Sequence, residues 1–199
     1  GLVFVGIDTL QTGMAALSKH FDPSMFPGHT LTGRMLLVLV GVAMTVVMQS
    51  SSAAAATTLT ALHAGAIGLP QAAALVIGQN LGTTVTAGVA SIGASSSAKR
   101  TALAHVLFNG ITGLVAFAIL PVFVSSVDLI TERFGGHDDT MSLAVFHTAF
   151  NVLGIAILMP FIRPFSRFVE RVVPERGSRL VRHLDPSVVT VPTVAVEAA

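Results

Sequence analysis

Cysteine, tryptophan and tyrosine are all missing from these 199 residues. Without cysteine there is no disulfide framework, no thiolate metal site and no clue to redox compartment. Without Trp or Tyr the usual interfacial belt of a membrane protein is lacking, and twelve Phe residues supply only its apolar part. Charge is scarce too. Asp, Glu, Lys and Arg make up 11% of the chain, against roughly 25% in soluble domains. A net charge of +1 says little about partners. The arginines crowd behind the last apolar stretch rather than onto an aromatic-bearing soluble face, which argues against nucleic acid.

What is present is apolar sequence, 52% of the chain. Three stretches hold no Asp, Glu, Lys or Arg: Met35–Ala98, Thr101–Val127 and Thr140–Ile162. A spanning helix needs about 20 such residues, so the expectation is an all-α integral membrane protein. The segments expected are 1–17, 35–63, 71–92, 101–127 and 141–162. Polar loops separate them at 18–34, 93–100 and 128–140. The chain opens at Gly1, inside apolar sequence that carries Asp8 and Gln11, and stops at Ala199. We read it as a fragment cut at both ends.

Two neutral polar clusters interrupt the first charge-free stretch. One is Gln49-Ser50-Ser51-Ser52; the other is Gly78-Gln79-Asn80-Leu81-Gly82-Thr83-Thr84-Val85-Thr86. Hydrogen-bonding groups in hydrocarbon are costly unless something satisfies them. The segment around the serines has two readings. As one helix it crosses the bilayer. As a re-entrant hairpin over about 35–63, it turns at the serines. An arm of about 14 residues, Met35–Met48, reaches about 21 Å, short of a hydrocarbon core of roughly 30 Å. The gathering of polar residues at the tip favours the hairpin. Arg34 favours the straight span, because the hairpin puts it outside.

Basic residues set the orientation. Arg163, Arg167, Arg171, Arg176, Arg179 and Arg182 place the tail in the cytoplasm. Lys99 and Arg100 agree with that. The loop 128–140, with one Arg against four acids, suits the outside. Arg163, Arg167 and Arg171 stand at i, i+4 spacing with Phe165, Phe168 and Val172 between, as in a juxtamembrane helix that meets anionic headgroups.

Serine hydroxyls donate to anionic oxygens and also coordinate cations. A broken helix frees N–H groups, and a helix N-terminus attracts anions. The second arm begins just after Ser52, so its positive end faces the serines. Hydroxyl, amide and carbonyl oxygens suit a hard monovalent cation. Small residues also serve close helix contact, and Gly78-x-x-x-Gly82 is such a pattern. A solute site and pure packing both remain open from the residues alone. An enzyme is not expected. Three adjacent serines single out no nucleophile, and neither G-x-S-x-G nor H-E-x-x-H occurs.

Four motifs together carry a family resemblance. Gln49-Ser50-Ser51-Ser52-Ala53 resembles the QSSS signature of type II sodium/phosphate cotransporters and their bacterial relatives. Gly78-Gln79-Asn80-Leu81-Gly82-Thr83-Thr84-Val85-Thr86 resembles their second signature, with Gln79 where a small residue is usual. Ala98-Lys99-Arg100-Thr101 through Asn109 resembles the basic turn and the helix after it. Phe146-His147-Thr148-Ala149-Phe150-Asn151 matches a motif of the last membrane segment.

The resemblance implies the second half of an inverted-repeat transporter. Residues 1–162 would form the membrane domain. Residues 163–199 would form a cytoplasmic tail that leads toward a helical regulatory domain. Ser50, Ser51 and Ser52 would bind phosphate. Gln49, Gln79, Asn80, Thr83 and Thr86 would bind sodium, the coupling ion, with no other cofactor. Asn109, His147 and Asn151 would pack or support the ligands from behind. The partners implied are phosphate, sodium, membrane lipid, the missing first repeat and a possible homodimer, in the bacterial cytoplasmic membrane. The function implied is sodium-coupled phosphate transport; a phosphate or other oxyanion exporter, or a phosphate-sensing anchor, are the alternatives.

Overall fold

The computed structural model describes residues 2–18, 28, 30–135 and 138–175. These residues are helical, with no strand among them. The helices are α1 (Leu2–Ser18), α2 (Leu31–Met48), α3 (Ser51–His63), α4 (Leu69–Ala90), α5 (Ser96–Ala118), α6 (Leu120–Gly135), α7 (Asp139–Leu158) and α8 (Ile162–Val172). A 3-10 turn, Met159–Phe161, joins the last two. Among the described residues, four helical stretches are long and apolar enough to cross a membrane: Leu31–Met48, Leu69–Ala90, Ser96–Ala118 and Asp139–Val172.

The first polar cluster breaks a helix. α2 ends at Met48, and Gln49 adopts a left-handed backbone, φ 52°. It is the one non-glycine residue with positive φ among those described, a conformation that costs energy without a glycine. Ser50 is extended and caps α3, its hydroxyl accepting from the Ala53 N–H at 3.2 Å. α3 ends in a Schellman motif: Ala66 N–H donates to Ala61 O and Gly65 N–H to Leu62 O, with Gly65 at φ 70°. Pro70 in the first turn of α4 needs no N–H partner. So short a connection makes α3 and α4 antiparallel neighbours.

α4 is the centre of the bundle. Ala72, Ala73, Ala74 and Ile77 are fully buried on it. α2 lies parallel to α4 with no side-chain layer between them. A Cβ on Gly78 would run into the Val38 carbonyl; one on Gly41 would run into the Leu75 carbonyl. Gly82 packs on Thr45, whose hydroxyl donates to the Gln79 carbonyl at 3.3 Å. This is the small-residue packing of membrane helices. Parallel to α2 and antiparallel to α3, α4 fixes the reversal of the chain at Gln49-Ser50.

Several sequence boundaries move. The fourth segment starts at Ser96, not Thr101, because Ser95 caps α5 by accepting from Ala98 N at 3.3 Å, so Lys99 and Arg100 are helical and not loop residues. The first arm begins at Leu31, not Met35, because Thr30 caps it by accepting from Gly33 N at 3.1 Å. Arg34 is thus inside the first turn, with Nε donating to Gly28 O. The arm then reaches about 27 Å at 1.5 Å per residue. The segment 101–127 is two helices, because Pro121 cannot donate to the Phe117 carbonyl and its ring crowds it. The chain turns at Ile119 so that Leu120, Val124 and Val127 enter the core. Residues 128–135, expected as loop, continue α6. There Thr131 and the fully buried Ser142 of α7 share a 2.6 Å hydrogen bond. The expected tail beyond 175 lies outside the described residues.

Candidate functional site

The tip of α3, the middle of α4 and one face of α7 enclose a cavity of about 320 Å3. That is the lower end of the size of small-ligand pockets, ~300–1,000 Å3. Ser51, Ser52 and Ala55 line it from α3, Val76, Gln79 and Asn80 from α4, and His147 from α7. Two clusters far apart in sequence therefore meet at one place.

The α3 side is built to receive a negative charge. Ser51 and Ser52 occupy the first turn, where backbone N–H groups have no partner in the helix. The Ser50 hydroxyl takes the Ala53 N–H and the Ser50 carbonyl takes the Ala54 N–H. Those of Ser51 and Ser52 stay open, as do both hydroxyls, among the described residues. The positive end of the α3 dipole points the same way.

The α4 side presents amide groups. Gln79 is 3% exposed. Its Nε2 donates to the Ala54 carbonyl at 3.1 Å and to Thr58 Oγ1 at 2.7 Å. These bonds fix the amide and leave Oε1 buried without a partner. Asn80 Nδ2 is likewise buried and unpartnered. Two orphaned amide atoms in one cavity cost a bundle free energy, and a bound ion that takes them up recovers it. A fixed carbonyl oxygen suits a cation. The Asn80 amide serves either sign, depending on which way it is flipped.

Among the described residues, no charged side chain lines the cavity. His147 is the one titratable group there, and its ring makes no hydrogen bond among the described residues. Phe146 and Phe150 hold its helix in register. Both rings are buried, stacked at 6.3 Å, and Phe146 also meets Phe123 at 4.9 Å. Turning these two faces into the core turns His147 toward α3 and α4. From the sequence His147 was expected to pack or to support the ligands from behind; the structure places it in the cavity lining. The signal that would have found it is its place between two aromatics spaced i, i+4.

The other expected ligands do not line the cavity. Gln49 Nε2 donates to Val46 O at 2.6 Å. Thr83 Oγ1 donates to Gln79 O at 3.0 Å and Thr86 Oγ1 to Thr83 O at 2.8 Å. Ser50 serves as the cap. Asn109 and Asn151 bond back to His105 O and His147 O on their own helices. No group of three or more His, Asp or Glu able to hold a metal occurs among the described residues.

The profile of the Na+/Pi-cotransporter family matches residues 2–159. This chain belongs to that family. Among similar proteins is YjbB of Escherichia coli K12, described as a candidate inorganic phosphate export protein, 34% identical over all of this chain and 36% of its own length. YqeW of Bacillus subtilis is 30% identical over 88% of the chain and 56% of its own length. The rat sodium-dependent phosphate transport protein 2C is 35% identical over 55% of the chain and 18% of its own length. The family member described here thus spans about a third to a half of its full-length bacterial relatives. No solved structure matches it.

Proposed function

We propose that this chain is one half of a carrier that moves inorganic phosphate together with sodium across the bacterial cytoplasmic membrane. The observation that carries the reading is the shared cavity of Ser51, Ser52, Gln79 and Asn80, with two orphaned amide atoms beside an open helix N-terminus. Phosphate oxygens take the serine hydroxyls and the free N–H groups. Sodium takes Gln79 Oε1 and the neighbouring amide. With no Lys or Arg in the cavity, cations are what offsets the anion's charge as it sheds water. Each ligand then favours the other, which is coupling. Gln49, Thr83 and Thr86, whose groups are committed to backbone, join only if the site rearranges. No covalent step is needed, and the chain acts as a carrier, not an enzyme.

In this reading α2 and α3 form a re-entrant hairpin with its tip at Gln49-Ser50. The counterpart hairpin of a first repeat closes the open side of the cavity, and the tail lies in the cytoplasm. Residues 1–162 form the membrane domain. A second reading keeps the site and reverses the direction, as an exporter; the likeness to YjbB favours it.

Radiolabelled phosphate flux by the intact protein in proteoliposomes tests both. Uptake that needs an inward Na+ gradient, is not supported by K+, and fails in Ser51→Ala supports the symporter. Efflux that is indifferent to Na+ yet still fails in Ser51→Ala supports the exporter. Flux untouched by Ser51→Ala overturns the site.

A further inference from the structure

α8 is not part of the cavity, and its design is of another kind. Ile162, Phe165, Phe168, Val169 and Val172 fall on one side of the helix at 3.6 residues per turn. Arg163, Arg167 and Arg171 fall on the other, with Ser166 and Glu170. Val169 is buried, but Ile162, Phe168 and Val172 are exposed. The apolar face is therefore wider than the protein covers. Glu170 accepts from Ser166 Oγ at 3.2 Å. None of the three arginines is in an ion pair among the described residues.

Position adds a second argument. Asp139–Val172 forms a helical stretch of 34 residues, about 51 Å at 1.5 Å per residue. A hydrocarbon core is about 30 Å thick, and α7 alone fills it. α8 must then begin where α7 leaves the core. Its direction is set by α5. Ile162, Phe165, Ser166, Val169 and Glu170 share one cavity with Arg100, Thr101 and Ala104. Arg100 Nε donates to Val173 O at 2.9 Å. Ile162 to Glu170, about 13 Å of α8, line that cavity against residues 100–104, about 6 Å of α5. A helix that ran along α5 would pass far more of it. That footprint fits a helix crossing α5 rather than following it, and if α5 spans the membrane, such a crossing lays α8 near its plane.

We propose that α8 is an interfacial helix that binds anionic phospholipid. Its uncovered Phe168 and Val172 enter the acyl boundary, and Arg163, Arg167 and Arg171 meet the headgroups. Arg100 latches its far end to the start of α5. This site is independent of the phosphate cavity and does not rest on the transport reading.

The chain's lack of tryptophan allows a direct test. Phe168→Trp in the intact protein, measured as the difference from the unsubstituted protein, reports the surroundings of α8. In vesicles, brominated phosphatidylglycerol is expected to quench it roughly two-fold or more than brominated phosphatidylcholine. Salt at about 0.5 M should erase that preference. Combining Arg163→Gln, Arg167→Gln and Arg171→Gln should erase it too and leave the quenching. Quenching by aqueous iodide and not by lipid overturns the interfacial position. Equal quenching by the two lipids at low salt overturns the headgroup role, and that comparison stands even if the triple variant fails to fold.

Discussion

Gln79 donates to Thr58 Oγ1 at 2.7 Å while its own Oε1 stays buried without a partner. One half of the amide is fastened to α3 and the other half is held open to the cavity. The side chain thus presents a rigid carbonyl to the cavity. Gln79→Ala removes both. The expected outcome is a rise of about tenfold or more in the sodium concentration for half-maximal phosphate uptake, equivalent to about 1.4 kcal/mol. Sodium titration of uptake by the intact protein checks it. An unchanged half-saturation value would remove Gln79 from the ion site.

The three serines separate by role. Ser50→Ala loses the helix cap and should cost about 1 kcal/mol of stability, read as a lower midpoint of thermal unfolding in detergent. Ser51→Ala and Ser52→Ala touch no protein hydrogen bond. They should leave that midpoint in place and weaken phosphate about ten- to a hundredfold each, as expected for one hydrogen bond to a charged ligand, worth about 1.5–3 kcal/mol. A binding isotherm on each variant distinguishes them.

His147→Ala should weaken phosphate about three- to tenfold and leave folding intact, because its ring bonds to no protein group and one lost donor is worth about 1 kcal/mol. His147→Gln, which keeps a donor, should recover part of the loss. Equal affinity in all three proteins would return His147 to a packing role.

Gly78→Ala and Gly41→Ala place a methyl against a backbone carbonyl of the neighbouring helix. Overpacking costs about 1–3 kcal/mol, and backbone cannot step aside as a side chain can. The folded fraction in gel filtration should collapse. Gly88→Ala and Gly110→Ala, where nothing lies within 4 Å, are the controls and should elute as the parent does.

Asp138 caps α7, accepting from Thr140 N at 2.9 Å and Met141 N at 3.4 Å. Those two bonds hold its carboxyl below its ordinary value of 3.8. A carboxyl lowered by folding stabilises the fold above that ordinary value, and the contribution fades as pH falls through the folded value. The parent's melting point should therefore drop as pH is lowered through about 4 and below by more than that of Asp138→Ala. Parallel pH profiles would contradict the cap's role.

The features legible in the sequence were those whose cost is local. Four polar residues in an apolar run announce a helix break, and the break is there, between Met48 and Ser51. The convergence of Ser51 and Ser52 with Gln79 and Asn80 was also within reach, because the two clusters share one charge-free stretch. Boundaries hidden inside uniform hydropathy were not. Ile119 to Pro121 is as apolar as its surroundings, and only the ring of Pro121 separates α5 from α6. Arg34 looked like a loop residue, yet its first-turn position lets it reach Gly28. The place of His147 in the cavity lining was not legible, because it depends on how α7 is rotated, which Phe146 and Phe150 decide through contacts with other helices.

The glycine contact between α2 and α4 has a mechanical consequence. Side chains deform and slide; a backbone seated in another backbone does neither. The arm that delivers the serines and the helix that carries Gln79 and Asn80 therefore behave as one stiff lever. The serine cluster and the Gln79-Asn80 pair cannot be parted by sliding α2 along α4. Any opening of the cavity has to come from the side where α7 stands, or from the side this chain leaves uncovered.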